Sequence, residues 1–148
     1  MILKKQNLKI ATILPYKENY TFDKASAASL WVAEFYKKSK FKKNIYIYGF
    51  TKSKKYLTNN YTNINLKSLK SKLISTTQEY IKKLTKEILN KKFDLVEIHN
   101  RPLILIGLTK KLDKKFIFYF HNDPLSMKGS KSIKERLLIL SKVEKLIF

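Results

Sequence analysis

Apolar runs of strand length alternate along this chain with segments whose apolar residues recur at helical spacing. Strands buried on both faces read as continuous apolar runs, and the crossover helices between them carry one apolar face each. Residues 8–14 (LKIATIL) are the first expected strand, closed by Pro15, and 16–24 are a polar loop. Residues 25–38 follow as a helix, with Ala27, Ala28, Trp31 and Phe35 at roughly helical spacing. Residues 44–48 (NIYIY) form a second strand that ends at Gly49. The Lys- and Asn-rich stretch 51–62 reads as loop, and 63–66 as a short third strand. The clearest helix is 69–90, with Leu73, Ile74, Thr77, Ile81, Leu84, Ile88 and Leu89 on one face. Glu79–Lys83 and Glu87–Lys91 are favourable four-apart pairs on it. Residues 94–98 are a strand, 103–112 a short apolar helix after Pro102, and 116–120 another strand. A helix over 133–141 and a last strand over 143–148 complete the pattern.

Strand–helix alternation of this kind predicts an α/β fold: a Rossmann-like, doubly wound parallel sheet in a single domain. A length of 148 residues suits one such domain, and 44% hydrophobic content with 13% aromatic residues is enough to build its core. There is no cysteine, which excludes disulfides and thiolate metal sites and makes a reducing compartment the default. The opening MILKKQNLKIATIL has lysines but neither a sustained apolar run nor a small-residue cleavage site, so a cytoplasmic location is expected. The longest apolar run, 103–108, is far too short to span a bilayer. The sequence ends on KLIF, in mid-strand by pattern, and the expectation is a truncated chain or the first half of something longer.

The net charge of +21 invites a polyanion partner, but its make-up argues otherwise. Of the 32 basic residues only Arg101 and Arg136 are arginine. Lysine bias with abundant Asn, Ile, Tyr and Phe is what an AT-rich coding sequence produces, and arginine is the residue favoured for bidentate phosphate and base recognition. The lysines are also scattered through almost every segment. Nucleic acid is therefore a disfavoured partner. A weak, salt-sensitive contact with anionic lipid at the inner face of the plasma membrane suits this charge. The competing functional reading is a basic, non-enzymatic module that binds nucleic acid or anionic membrane.

Open α/β sheets bind ligands beyond the carboxyl ends of their strands. Three loops leave such ends here: 15–24, 99–102 and 121–131. Together they hold His99 and His121, Arg101 and all three prolines. The sharpest of these switches is FIFYFHNDP, where an apolar strand stops at His121, Asn122 and Asp123. Lys128, Gly129 and Ser130 then add a cation and a flexible backbone before the next helix. Several members have a structural reading as well. His99 could be satisfied by neighbouring carbonyls, Asn122-Asp123-Pro124 could be a turn, and Arg101 could pair with Glu97 or Asp123. Ser26-Ala27-Ala28-Ser29 opens the first helix with small side chains, which suits either phosphate approach or close packing. No GxGxxG or P-loop is present, and two distant histidines without a spaced carboxylate make a poor metal site, so no metal is expected.

The segments LKIATILPYKENYTFDKASAASLWVAEF, DLVEIHNRP and FIFYFHNDPLSMKGSKSIKERLLILSKVEKLIF resemble, in order and spacing, the amino-terminal domain of family 4 glycosyltransferases. Those enzymes have the GT-B architecture, in which two Rossmann-like domains face each other across a cleft. The resemblance implies a retaining transferase that moves a sugar from a nucleotide-diphosphate donor to a glycan or lipid-linked acceptor, as in cell-surface polysaccharide synthesis. It implies no metal or other cofactor, and a missing carboxyl-terminal domain that carries most donor contacts, including an E-x7-E motif. By the same resemblance His121 matches the cleft histidine beside the transferred sugar. Asn100 and Arg101 line the acceptor side; Asn122, Asp123, Lys128, Gly129 and Ser130, in the loop after FIFYF, are further acceptor- or sugar-binding candidates. Lys24, Ala25 and Ser26 form the loop that approaches the donor diphosphate, where the family's usual glycine pair is replaced.

Overall fold

The computed structural model describes residues 8–66 and 75–148. In chain order its elements are β1 (Ile10–Ile13), α1 (Ala27–Lys38), β2 (Ile45–Gly49), β3 (Tyr61–Asn63), α2 (Thr76–Leu89) and β4 (Leu95–His99). They continue as α3 (Pro102–Thr109), β5 (Lys115–Tyr119), α4 (Ile133–Leu140) and β6 (Lys145–Ile147). The six strands form one sheet in the order β3-β2-β1-β4-β5-β6, and every pairing is parallel. The chain therefore winds outward from β1 through β2 to β3, then crosses back and winds the other way from β4 to β6. The reversal falls between β1 and β4, which places the crevice for a ligand above their carboxyl ends.

Strand alternation divides the core into two layers. Ile10, Leu14, Ile45 and Ile47 pack with Val32 and Ala33 of α1. Ala11, Ile13, Val96, Ile98, Phe116 and Phe118 pack on the other face with Leu84 and Ile88 of α2 and Leu105 and Leu108 of α3. Helices cover both faces of the sheet, as a doubly wound fold requires. A Cβ on Gly107 would collide with the Ile81 side chain, so the missing side chain is what lets α2 and α3 approach.

Helix boundaries follow local chemistry more than apolar period. Ser26 is extended and caps α1, so Ala25 lies outside the helix. Helix α2 begins at Thr76, where Ser75 is extended and forms a capping box with Gln78. Leu73 and Ile74 lie outside the described residues. The pairs Glu79–Lys83 and Glu87–Lys91 both form, each at 3.3 Å. Pro102 is itself the first residue of α3, one before the expected start, since a proline there forgoes an N–H that no helix partner would accept. That helix closes at Thr109, short of the expected 112. The short strand β3 sits two residues earlier than the expected 63–66. Tyr61 is buried and stacks on Tyr20 with centroids 4.7 Å apart, which fixes the register there, and Ile64 packs into the opposite core layer just past the strand.

Helix α4 has its own capping box: Ser132 Oγ accepts from Glu135 N at 3.2 Å, and Ser132 N donates to Glu135 Oε2 at 2.9 Å. Ser132→Ala removes the acceptor for an otherwise unpaired N–H and is expected to destabilise the domain by about 1 kcal/mol. The midpoint of urea unfolding checks it; an unchanged midpoint would mean that α4 adds nothing to the cooperative unit.

Candidate functional site at the sheet switch point

The rim above β4 and β5 is held by an asparagine. Asn100 follows β4 with a left-handed backbone (φ 56°), which Asn tolerates better than most side chains. Its N–H donates to the Tyr119 carbonyl at 2.7 Å, and its Oδ1 accepts from His121 N at 3.3 Å. One residue thus ties the ends of two strands together and sets where His121 begins.

Below the rim, on the α1 face, lies a layer of buried polar groups. Alternation puts Glu97 and His99 on the same side of β4, and Tyr119 sits opposite His99 in the β4–β5 register. The His99 and Tyr119 rings stack with centroids 4.5 Å apart. Thr12 Oγ1 donates to Glu97 Oε2 at 2.8 Å, and the Tyr119 hydroxyl lies near this carboxyl. Burial raises the Glu97 pKa above the usual carboxylate value, and the Thr12 and Tyr119 hydroxyls work in the opposite direction. Burial, with the Glu97 carboxyl beside it, pushes the Tyr119 hydroxyl up to about 12.

His99 is almost fully enclosed at 1% exposure. Its Nδ1 lies 2.8 Å from Nε2 of His121, and its own Nε2 has no partner among the described residues. No carbonyl satisfies it; the second histidine does. Burial first, and His121 second, hold the His99 pKa down at about 3, so this ring is neutral at physiological pH. His121 is half-buried; desolvation lowers its pKa and the Glu18 carboxylate works against that. Trp31 of α1 covers the group, with ring centroids 5.8 Å from His99 and 5.4 Å from both Tyr119 and His121.

Arg101 lies beside this cluster and pairs with neither Glu97 nor Asp123 among the described residues. Its guanidinium carbon sits 6.0 Å from the ring centroid of Tyr16, in the loop after β1. Tyr16 also lines a pocket of about 510 Å3 with Lys17, Asn19, Lys24, Phe50 and Lys52, beyond the ends of β1 and β2. Three loops far apart in sequence therefore meet at the switch point. Tyr16 and Glu18 come from the first, Asn100 and Arg101 from the second, and His121 from the third.

The remaining candidate residues have other local partners. Lys24 is exposed at the mouth of that pocket, and Ala25 packs against the α1-side core. Ser26 Oγ accepts from Ser29 N at 3.2 Å as the helix cap. Asn122 and Asp123 are exposed, and Asp123 Oδ1 accepts from Leu125 N at 2.9 Å to start the turn Pro124–Ser126. Lys128 is exposed. Gly129 has φ 94°, and a Cβ there would sit 3.0 Å from Leu103 Cδ2, so the loop lies tight against α3. Ser130 is buried and its hydroxyl donates to the Pro124 carbonyl at 2.6 Å. Among the described residues, none of these side chains bonds His99, His121 or Arg101.

Glu97, Tyr119, Trp31 and Glu18 belong to the site without having been singled out for it from the sequence. The available signal was Glu97, a lone carboxylate inside LVEIH, two residues from His99 and hence on the same face. Comparison with protein-family models, with curated proteins and with solved structures gives no match to this chain. The case for a function rests on the residues themselves.

Proposed function

We propose that this domain is the acceptor-side half of a retaining glycosyltransferase, which moves a sugar from a nucleotide-diphosphate donor to a glycan or lipid-linked acceptor. In this reading turnover needs a second, carboxyl-terminal domain that supplies most donor contacts. One observation carries the proposal: Asn100, Arg101 and His121 stand together at the switch point of a doubly wound parallel sheet, joined by Tyr16 and Glu18 of the first loop. Rigid strands below and hydrogen-bonding groups above are what a small polar ligand requires.

The chemistry asks for stabilisation of charge that builds on the departing diphosphate while the sugar ring becomes cationic. Lys24 and the amino end of α1 are the groups suited to the diphosphate, and Arg101 to an anionic or hydroxyl-rich acceptor. His121 holds a sugar hydroxyl through the ring nitrogen that His99 leaves free. It is not assigned as a general base. The exposed lysines suit an enzyme that works against an anionic leaflet, and among the described residues no helix is long and apolar enough to cross a membrane.

The test uses backbone NMR on the 148-residue chain, titrated separately with a soluble alkyl glycoside and with a nucleotide-diphosphate sugar. Signals of Asn100, Arg101 and His121 are expected to move with the glycoside, and those of Lys24 to Ser26 with the donor, with little dependence on salt. Shifts spread over the exposed lysines and abolished by salt would instead identify a polyanion-binding module. No response at the rim to either ligand would also overturn the proposal.

A further inference from the structure

We propose that His99 is a positioning residue that fixes the tautomer of His121, so that Nδ1 of His121 carries the hydrogen and offers a donor to the occupant of the rim. The inference deepens the sugar-site reading by naming the atom that meets the ligand, and it rests on that reading only for the ligand's identity.

The geometry leaves two arrangements. With Nδ1 of His99 and Nε2 of His121 2.8 Å apart, one hydrogen lies between two neutral rings. If His121 donates it, the remaining hydrogen of His99 sits on Nε2, deep inside and without an acceptor. If His99 donates it, Nε2 of His99 is a bare lone pair and His121 must carry its own hydrogen on Nδ1. Buried N–H groups without partners are rarer in folded proteins than under-used acceptors, so the second arrangement is favoured.

The charged and titratable groups that face the pair come from several elements. From the loop after β1, the Glu18 carboxylate draws positive charge toward His121. On β4, the Glu97 carboxyl is held by Thr12 and lies near the Tyr119 hydroxyl of β5. Trp31, from α1, brings no charge. Arg101 is turned over Tyr16. Nδ1 of His121 has no hydrogen-bond partner among the described residues. A neutral imidazole locked as a donor there recognises an oxygen acceptor, such as a sugar hydroxyl or a phosphate oxygen, and gives an ammonium nothing to bind.

Two-bond proton–nitrogen NMR on the uniformly 15N-labelled chain reads the ring nitrogens directly at neutral pH. The expected result is a protonated Nδ1 and a bare Nε2 for both histidines, with a through-hydrogen-bond nitrogen–nitrogen coupling from His99 to His121. In His99→Phe, His121 should revert to a mixture of tautomers and the coupling should vanish. A hydrogen on Nε2 of His121 in the unaltered chain overturns the inference, and so does a His121 tautomer unchanged in His99→Phe. Should that variant fail to fold, the spectrum of the unaltered chain decides alone. If the tautomer stands while no glycoside perturbs the rim, the sugar reading falls by itself. If a glycoside binds while Nε2 of His121 holds the hydrogen, this inference falls by itself.

Discussion

Replacing His121 by alanine in a two-domain form of the proposed enzyme is expected to lower kcat by about 100-fold or more, the scale of losing one preorganised polar group at the reacting centre. The effect should fall on kcat more than on KM, because the substitution leaves the rest of the rim in place. The backbone N–H at position 121 still reaches Asn100 Oδ1, so the loop keeps its anchor. The same change leaves Nδ1 of His99 buried without its partner, a loss of about 1–3 kcal/mol in stability. Turnover should therefore be measured well below the unfolding midpoint of the variant. Steady-state kcat with saturating donor decides the matter: near-normal turnover in a folded His121→Ala enzyme takes His121 out of the site.

The second large effect concerns acid. His99 is held neutral down to about pH 3 in the folded chain, whereas an exposed histidine titrates near 6.5. Between those values the unfolded chain binds the extra proton, so the contribution to stability is complete above pH 6.5 and is lost progressively toward pH 3. One net proton gives a slope of about 1.4 kcal/mol per pH unit. The depressed pKa of His121 acts with the same sign. Glu97 acts with the opposite one. Its raised carboxyl pKa means that the folded chain holds that proton more tightly, so its contribution is present below the usual carboxylate value and lost as pH rises through the folded pKa. Acid therefore relieves Glu97 while it strains the histidines. Urea unfolding at about pH 7.5 and about pH 5.5 should show the histidine loss, and His99→Phe should reduce the slope by about one proton. An equal slope in that variant would show that His99 accepts a proton without unfolding.

The sheet was legible because parallel strands buried on both faces write themselves as unbroken apolar runs: KIATIL, NIYIY, DLVEI and FIFYF each fall on a strand. The edge strand β3 was displaced because its position depends on a tyrosine stack with the loop after β1 rather than on alternation. The rim was legible for a related reason. His99, Asn100, Arg101 and His121 stand where apolar character stops, and the end of a strand is a place in the fold as well as in the sequence. The layer beneath was not. Glu97 meets Thr12 and Tyr119 across neighbouring strands, and such meetings depend on register, which a linear pattern does not contain. Gly129 and Ser130 show the converse difficulty. A glycine and a serine after a strand suit a ligand loop and a self-braced turn equally, and here both brace the turn.

Trp31 is the sole tryptophan of the chain, and its ring lies over both histidines of the rim while remaining 42% exposed. The molecule thus contains a single native indole, excitable apart from its nine tyrosines, stationed at the spot where a guest would arrive. Protonation of His121, or entry of a sugar if the proposed site holds one, is expected to alter the emission of that one indole, so occupancy can be followed by fluorescence in unlabelled protein.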